Sequence, residues 1–164
     1  GGVIGLELGQ VYNRLGSKIS VIEYSDRITP FMDKDVSREL NKVLKKEGIN
    51  FYLSHQVFEV KSNENTVSVL AKNKSDEVIS FDSDYCLVSV GRKPYTEGLN
   101  LEKIGVELDS KGRININERF ETSIEGIYAI GDVVRGTMLA HKAEEEGIAV
   151  AEIGRAHVWT PVTL

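Results

Sequence analysis

The feature that most limits what this chain can fold into is a glycine-rich turn that opens a helix: Gly1-Gly2-Val3-Ile4-Gly5-Leu6-Glu7-Leu8-Gly9. Gly2 and Gly5 are spaced as the last two glycines of G-x-G-x-x-G, so the first glycine and the strand feeding it are expected before residue 1. A Cβ at Gly2 would keep the backbone off a pyrophosphate, and one at Gly5 would hold the helix off a sheet. The helix that follows offers unpaired N–H groups and a positive dipole end to the phosphates. Ile4, Leu8, Val11 and Leu15 recur at helical spacing, and Gly16 stops the helix. Lys18-Ile19-Ser20-Val21-Ile22-Glu23 then reads as a strand entering a covered parallel sheet. Glu23 ends that strand about 20 residues from the fingerprint, where an acid accepts both ribose hydroxyls of NAD. The same carboxylate would repel a 2′-phosphate, and Arg27 alone follows as a counter-charge, so NAD is favoured over NADP. Glycines at an ordinary strand–helix turn with a solvated Glu23 are the alternative; turn, helix, strand and acid in one register weigh against it. Glu7 keeps two readings, an approach to the nicotinamide or a carboxylate on the helix surface.

A chain of 164 residues allows one domain, or one domain and a piece of another. With 41% hydrophobic and 27% charged residues it is globular, and no apolar run approaches the roughly 20 residues that span a bilayer. A net charge of −5 without a basic cluster argues against a nucleic-acid partner. The single cysteine, Cys86, lies in the apolar run Tyr85-Cys86-Leu87-Val88-Ser89-Val90, where it reads as a small apolar residue of a buried strand. It has no partner for a disulfide or a metal. The chain opens in a glycine turn and not in a basic, apolar leader, so a reduced intracellular compartment is expected.

After Glu23 comes a loop to Met32, then an Asp33-capped helix with Val36, Leu40, Val43 and Leu44 as its apolar stripe. Gly48 stops it, and Asn50 to Leu53 makes a short strand, completing a βαβ unit. From Val57 the pattern alternates at period two in three runs, Val57 to Lys61, Thr66 to Leu70 and Glu77 to Phe81, separated by polar turns. This predicts an antiparallel meander. The run Tyr85 to Val90 returns as a buried parallel strand ending at Gly91, which either meets a ligand at the strand end or starts a turn toward Pro94. Glycines and a proline between Gly91 and Gly112 suggest a crossing between domains. Arg113 to Asn117 and Ile124 to Ile130 read as strands, the second leading into Gly131-Asp132, and a helix opens near Thr137 and runs to about Ile153. Asp132 either accepts hydrogen bonds from a polyol or caps a helix with His141 on its surface.

Gly-Gly-Val-Ile-Gly-Leu-Glu-Leu-Gly, Val-Ile-Glu-Tyr, Val-Gly-Arg-Lys-Pro, Tyr-Ala-Ile-Gly-Asp-Val-Val and Met-Leu-Ala-His-Lys-Ala-Glu occur here in one order. Together they resemble the flavoprotein disulfide reductases of the dihydrolipoyl dehydrogenase type, over residues 1 to 152. The resemblance implies that Gly1, Gly2, Val3, Ile4, Gly5, Leu6, Glu7 and Glu23 hold NAD. Val57 and Gly91 would line the adenosine and nicotinamide ends of that site. Asp132 would bind the FAD ribitol, and Met138, Leu139, Ala140 and His141 would meet the flavin and its phosphates. The implied fold is α/β: a Rossmann-like NAD-binding domain lacking its first strand over 1–94, with the meander inside it. A returning segment of the FAD-binding domain follows over 95–152.

The resemblance also implies an intact parent that oxidises protein-bound dihydrolipoamide and reduces NAD, as a homodimer serving the lipoyl domains of 2-oxoacid dehydrogenase complexes. Its compartment would be the bacterial cytoplasm or, alternatively, the mitochondrial matrix. The redox Cys-x-x-x-x-Cys and the His–Glu base of such enzymes are expected upstream and downstream of these residues. His55 and His157 stand in other contexts, so binding residues are assigned and catalytic residues and metal ligands are not. From about residue 153 to Leu164 the chain leaves the family pattern, looks like translated adapter sequence, and is expected to be a non-native tail. Other NAD(P)H-dependent flavoproteins and a non-catalytic dinucleotide-binding module are the remaining alternatives.

Overall fold

The computed structural model describes residues 1–158, and the chain divides into a unit over Gly1–Gly91 and a second from Arg92 onward. Half of the expected tail, residues 159–164 with Trp159, lies outside the described residues.

In the first unit, helix α1 (Val3–Arg14) leads to strand β1 (Ser20–Glu23), helix α2 (Lys34–Lys46) and strand β2 (Asn50–Leu53). β1 and β2 pair in parallel with Glu23 opposite Leu53, so the expected βαβ unit forms. Gly16 takes φ +96°, and the N–H groups of Gly16 and Ser17 close the helix on the carbonyls of Asn13 and Tyr12, both at 3.0 Å. Asp33 caps α2 by accepting from the Asp35 N–H at 2.8 Å. The core gathers Leu6, Ile28, Leu44 and Ile49, with Ile19, Val21, Leu40, Phe51 and Leu53 packed around it.

Two details differ from the expected packing. The Ile4, Leu8, Val11 and Leu15 stripe of α1 is exposed, and the inward face is Leu6 with Gly9. Gly9 lies where a Cβ would touch Ile19, the residue before β1, at ordinary contact distance, 3.5 Å, so the glycine side of α1 is the one turned to the chain entering that strand. On α2, likewise, Val36 and Val43 face out, whereas Leu44 and Ser37 are buried and Leu40 half-buried.

The meander forms as expected: β3 (Gln56–Ser62), β4 (Val67–Lys72) and β5 (Val78–Ser83), antiparallel in that order. A bulge between Val57 and Glu59 kinks β3, which is exposed along its whole length, while β4 buries Val69 and Ala71. The expected buried strand over residues 85–90 does not form. A strand exists only through its ladder, and among the described residues none pairs with this run. Tyr85 and Val90 are each 90% exposed and Cys86 is exposed with them, so the buried-cysteine reading is corrected.

Among the described residues the second unit forms no strand longer than a single bridge. The runs read as strands at 113–117 and 124–130 appear only as isolated bridges, Leu108 to Ile114 and Glu121 to Tyr128. A tight turn interrupts the second, with the Ile127 N–H on the Ile124 carbonyl at 3.1 Å. Leu101, Val106, Ile114, Ala129 and Val134 still close a core around these bridges. Short 3-10 turns cover Leu101–Ile104 and Gly131–Val133. Helix α3 (Ala140–Val158) starts later than expected, leaving Met138 and Leu139 in the preceding loop, and continues past Ile153.

Candidate functional site

The glycine turn and Glu23 come together. A Cβ at Gly1 would lie 2.6 Å from Glu23 Oε2 and 2.9 Å from its Cβ, so the main chain touches the acid with no room for a side chain. Gly2, the N-cap of α1, has no side-chain cap and nothing within 4 Å of where its Cβ would stand. Beside it the first N–H groups of α1 lack helical partners, leaving a bare cradle of donors of the kind an anion fills. At Gly5 a Cβ would collide with the Ser89 hydroxyl, so the unpaired run 85–90 passes directly against the helix there.

Glu23 is 16% exposed at its side chain. Its Oε1 accepts from the Ser25 N–H at 2.7 Å, and Oε2 lies 3.0 Å from the Gly1 nitrogen, here a chain amino group. Burial pushes this carboxyl up, but the Ser25 N–H and the Gly1 amino group outweigh burial and hold it below the usual carboxylate range. Arg27 is not its counter-charge: the guanidinium turns away and donates to the Pro30 carbonyl at 2.7 Å. An acid with no cation side chain beside it among the described residues suits ribose hydroxyls and disfavours a 2′-phosphate.

Two residues with no marker in the chain's pattern tie this turn to α2. Thr29, with φ +43°, donates its N–H to the Gly1 carbonyl at 2.9 Å. Its hydroxyl sits 3.0 Å from that of Ser37, which reaches the Thr29 carbonyl at 3.2 Å; both residues are buried. Small hydroxyl residues in a loop and on a helix carry no periodic signal, so only the fold reveals the pair.

Val3 and Leu6 line the inner start of α1, Leu6 in the core, whereas Ile4 and Glu7 face outward. Val57 stands exposed on β3, and Gly91 takes φ +104° in open surroundings at the end of the 85–90 run. The structure gives neither a contact with Glu23.

In the second unit Asp132 lies in the 3-10 turn after the core residue Ala129, with its side chain 43% exposed. Its carboxylate meets Arg92 Nη1 at 3.3 Å and does not cap α3, which begins at Ala140. That leaves an accessible acid beside a buried glycine, which fits a polyol. Met138 is half-buried and Leu139, Ala140 and His141 are exposed around the start of α3. The Gly131 N–H donates to Glu146 Oε2 at 2.7 Å, a contact that sequence reading missed because Glu146 ends a run of three acids on a helix.

Among the described residues no cluster of His, Cys, Asp and Glu could hold a metal ion, and no helix is long and apolar enough to cross a membrane.

Residues 1–147 match the family model for pyridine nucleotide-disulphide oxidoreductases. A leghemoglobin reductase from Glycine max is 47% identical over 152 residues, covering 92% of this chain and 29% of that protein. A mitochondrial dihydrolipoyl dehydrogenase from Pisum sativum is 46% identical over 152 residues, covering 92% and 30%. The chain thus spans less than a third of the length of these relatives. Among solved structures, the Cu(II) complex of the HOCl-induced flavoprotein disulfide reductase RclA from Escherichia coli superposes with a TM-score of 0.81 at 25% identity, covering 92% of this chain and 34% of that one.

Proposed function

The chain belongs to the pyridine nucleotide-disulphide oxidoreductase family, and on that premise we propose that it is the NAD-binding part, with a returning FAD-binding segment, of a dihydrolipoyl dehydrogenase. The observation that carries this reading is Glu23, packed against the Gly1 main chain and held by the Ser25 N–H beside the bare Gly2 cradle. Gly1 to Glu7 and Glu23 would hold NAD, with Val57 and Gly91 toward its two ends, and residues 1–94 would form that domain. Residues 95–152 would complete the FAD domain, with Asp132 on the ribitol and Met138 to His141 near the flavin. FAD, when bound, would supply a two-electron relay between a dithiol of the parent and NAD, which would accept hydride. The protein's part is to orient and to exclude water: Glu23 fixes the adenosine ribose, and the first N–H groups of α1 hold the pyrophosphate.

The parent's substrate would be protein-bound dihydrolipoamide on the lipoyl domains of 2-oxoacid dehydrogenase complexes, and its form a homodimer. The pea relative's mitochondrial label favours the matrix over the bacterial cytoplasm. The soybean relative is named for a different acceptor at the same level of identity, so this stretch carries the cofactors' recognition more than the substrate's. The test is cofactor choice in the full-length parent assayed with dihydrolipoamide. NADH is expected to bind far better than NADPH, and Glu23→Ala to weaken NADH about tenfold or more, as loss of a charged hydrogen bond does. Equal affinity for the two nucleotides in the unmodified protein would overturn the reading.

A further inference from the structure

The turn that presents Asp132 is held from below by one helix, α3, through contacts that nothing in the flavin assignment requires. Glu146 Oε2 accepts the Gly131 N–H at 2.7 Å, in the residue immediately before Asp132. Its other oxygen lies 2.7 Å from Lys142 Nζ, and the two side chains are only 14% and 20% exposed. The glycines of the loop come down on the same helix. A Cβ at Gly131 would stand 3.1 Å from that of Ala143, and one at Gly136 would stand 2.7 Å from Lys142 Cε. From the other side, a Cβ at Gly147 would meet Ile130 Cδ1 at 3.4 Å.

A helix-stabilising ion pair does not account for this. Lys142 precedes Glu146, the weaker order for an i,i+4 pair, and such pairs contribute little even when exposed. Here both are largely buried, which costs free energy unless the geometry is good and the remaining donors and acceptors are used. Beyond the Glu146 carboxylate, Lys142 Nζ has no hydrogen-bond partner among the described residues. The acid's one well-made hydrogen bond goes to the Gly131 backbone.

Resting on the flavin reading above, we propose that Glu146 is a positioning residue of the flavin site: it fixes the Gly131 peptide, and through it the direction of the Asp132 carboxylate, with Lys142 as its counter-ion. Gly131 takes φ +74°, a conformation that needs an external hold to be the single one populated, since glycine has the widest choice of alternatives.

The experiment uses the full-length flavoprotein and two readouts: FAD affinity by reconstitution of the apoprotein, and amide hydrogen exchange of the peptide containing Gly131. Glu146→Ala is expected to weaken FAD about tenfold and to speed that exchange, as loss of a charge-assisted hydrogen bond does. Glu146→Gln, which keeps an acceptor oxygen but leaves Lys142 without its counter-ion, is expected to weaken FAD and speed that exchange clearly less than Glu146→Ala. Should the alanine protein not fold, Glu146→Asp serves in its place, since it keeps the charge and withdraws the oxygen by one methylene. Asp132→Ala, run beside them, tests the underlying reading. Loss of FAD affinity with Asp132→Ala but not with Glu146→Ala or Glu146→Asp overturns the positioning role and leaves the flavin site standing. Unchanged FAD affinity with Asp132→Ala overturns the flavin reading itself, and the exchange of Gly131 then still decides whether Glu146 holds the turn.

Discussion

At the scale of single residues, the site is made by what is absent as much as by what is present. Gly5 shows how finely that balance is set. Alanine in a helix interior is worth up to about 1 kcal/mol over glycine, yet a Cβ here meets the Ser89 hydroxyl, a single rotor that can turn aside. Gly5→Ala is therefore expected to change stability little on its own. In a Ser89→Ala background the same change should gain about 1 kcal/mol more, read as the coupling in a denaturant-unfolding double-mutant cycle. Zero coupling would mean that the helix does not rest on Ser89. Glu23 makes a prediction about pH. Held below its ordinary value in the folded chain, it contributes fully above about pH 4.3 and loses that contribution as pH falls through its folded value. Glu23→Gln should flatten the acid limb of the stability curve below about pH 4 and leave the neutral region's slope unchanged, measured by unfolding at stepped pH. Glu23 was legible from its place at a strand end, whereas Thr29, Ser37, Ser89 and Glu146 were not. Each acts through one contact across the fold, and a single hydroxyl or acid leaves no pattern in the chain.

Among the elements, the turns obey the sequence most closely because they are built by local chemistry. One device appears three times. Asn73 accepts from the N–H groups of Ser75 and Glu77 at 2.8 and 3.1 Å and donates to the Glu77 carboxylate at 2.7 Å. Asn117 repeats this with Arg119 and Glu121 at 2.8, 3.0 and 2.8 Å. Asp109 does so with Lys111 and Arg113, the polarity of the side-chain contact reversed: its carboxylate takes the Arg113 guanidinium at 2.7 Å. The backbone N–H of Arg113 first, then its guanidinium, outweigh burial and hold Asp109 below the usual range. The partner four residues on thus selects amide or acid. Asn73→Asp would set two carboxylates against each other and should cost about 0.5 kcal/mol, the cost being removed by Glu77→Gln. Thermal unfolding of the four proteins of that cycle checks it, and an additive result would deny the contact. Strands were less legible for the opposite reason. Residues 85–90, 113–117 and 124–130 carry apolar runs or alternation, but a strand also needs a neighbour, and the ladder is not written in the strand's own residues. The exposed stripe of α1 follows the same logic: two apolar faces were available, and the one bearing Gly9 was taken because it lets the chain entering β1 come close.

At the scale of the whole molecule, the division into two units has an energetic consequence that substitutions can expose. The core around Leu6, Ile28, Leu44 and Ile49 shares no residue with the core around Leu101, Val106, Ile114, Ala129 and Val134. Buried side chains stabilise what they touch, and changes without common partners add independently. Leu44 is 3% exposed, so Leu44→Ala removes three buried carbons and leaves a cavity, a loss of about 2–5 kcal/mol for a site that relaxes incompletely. It shares this core with Leu40 of α2 and with Ile49, in the link from α2 to β2. The expected result is local: faster amide exchange through α2, β1 and β2, with protection at Val106, Ile114 and Val134 held at the parent level. Val134→Ala, 2% exposed in the parent, should give the mirror image with a smaller loss, because it removes fewer carbons. Exchange that rises across both cores after either change would mean that the units unfold as one cooperative body. Separate responses would mean that the glycine turn at Gly1–Gly5 and the Asp132 turn each draw their rigidity from a core of their own.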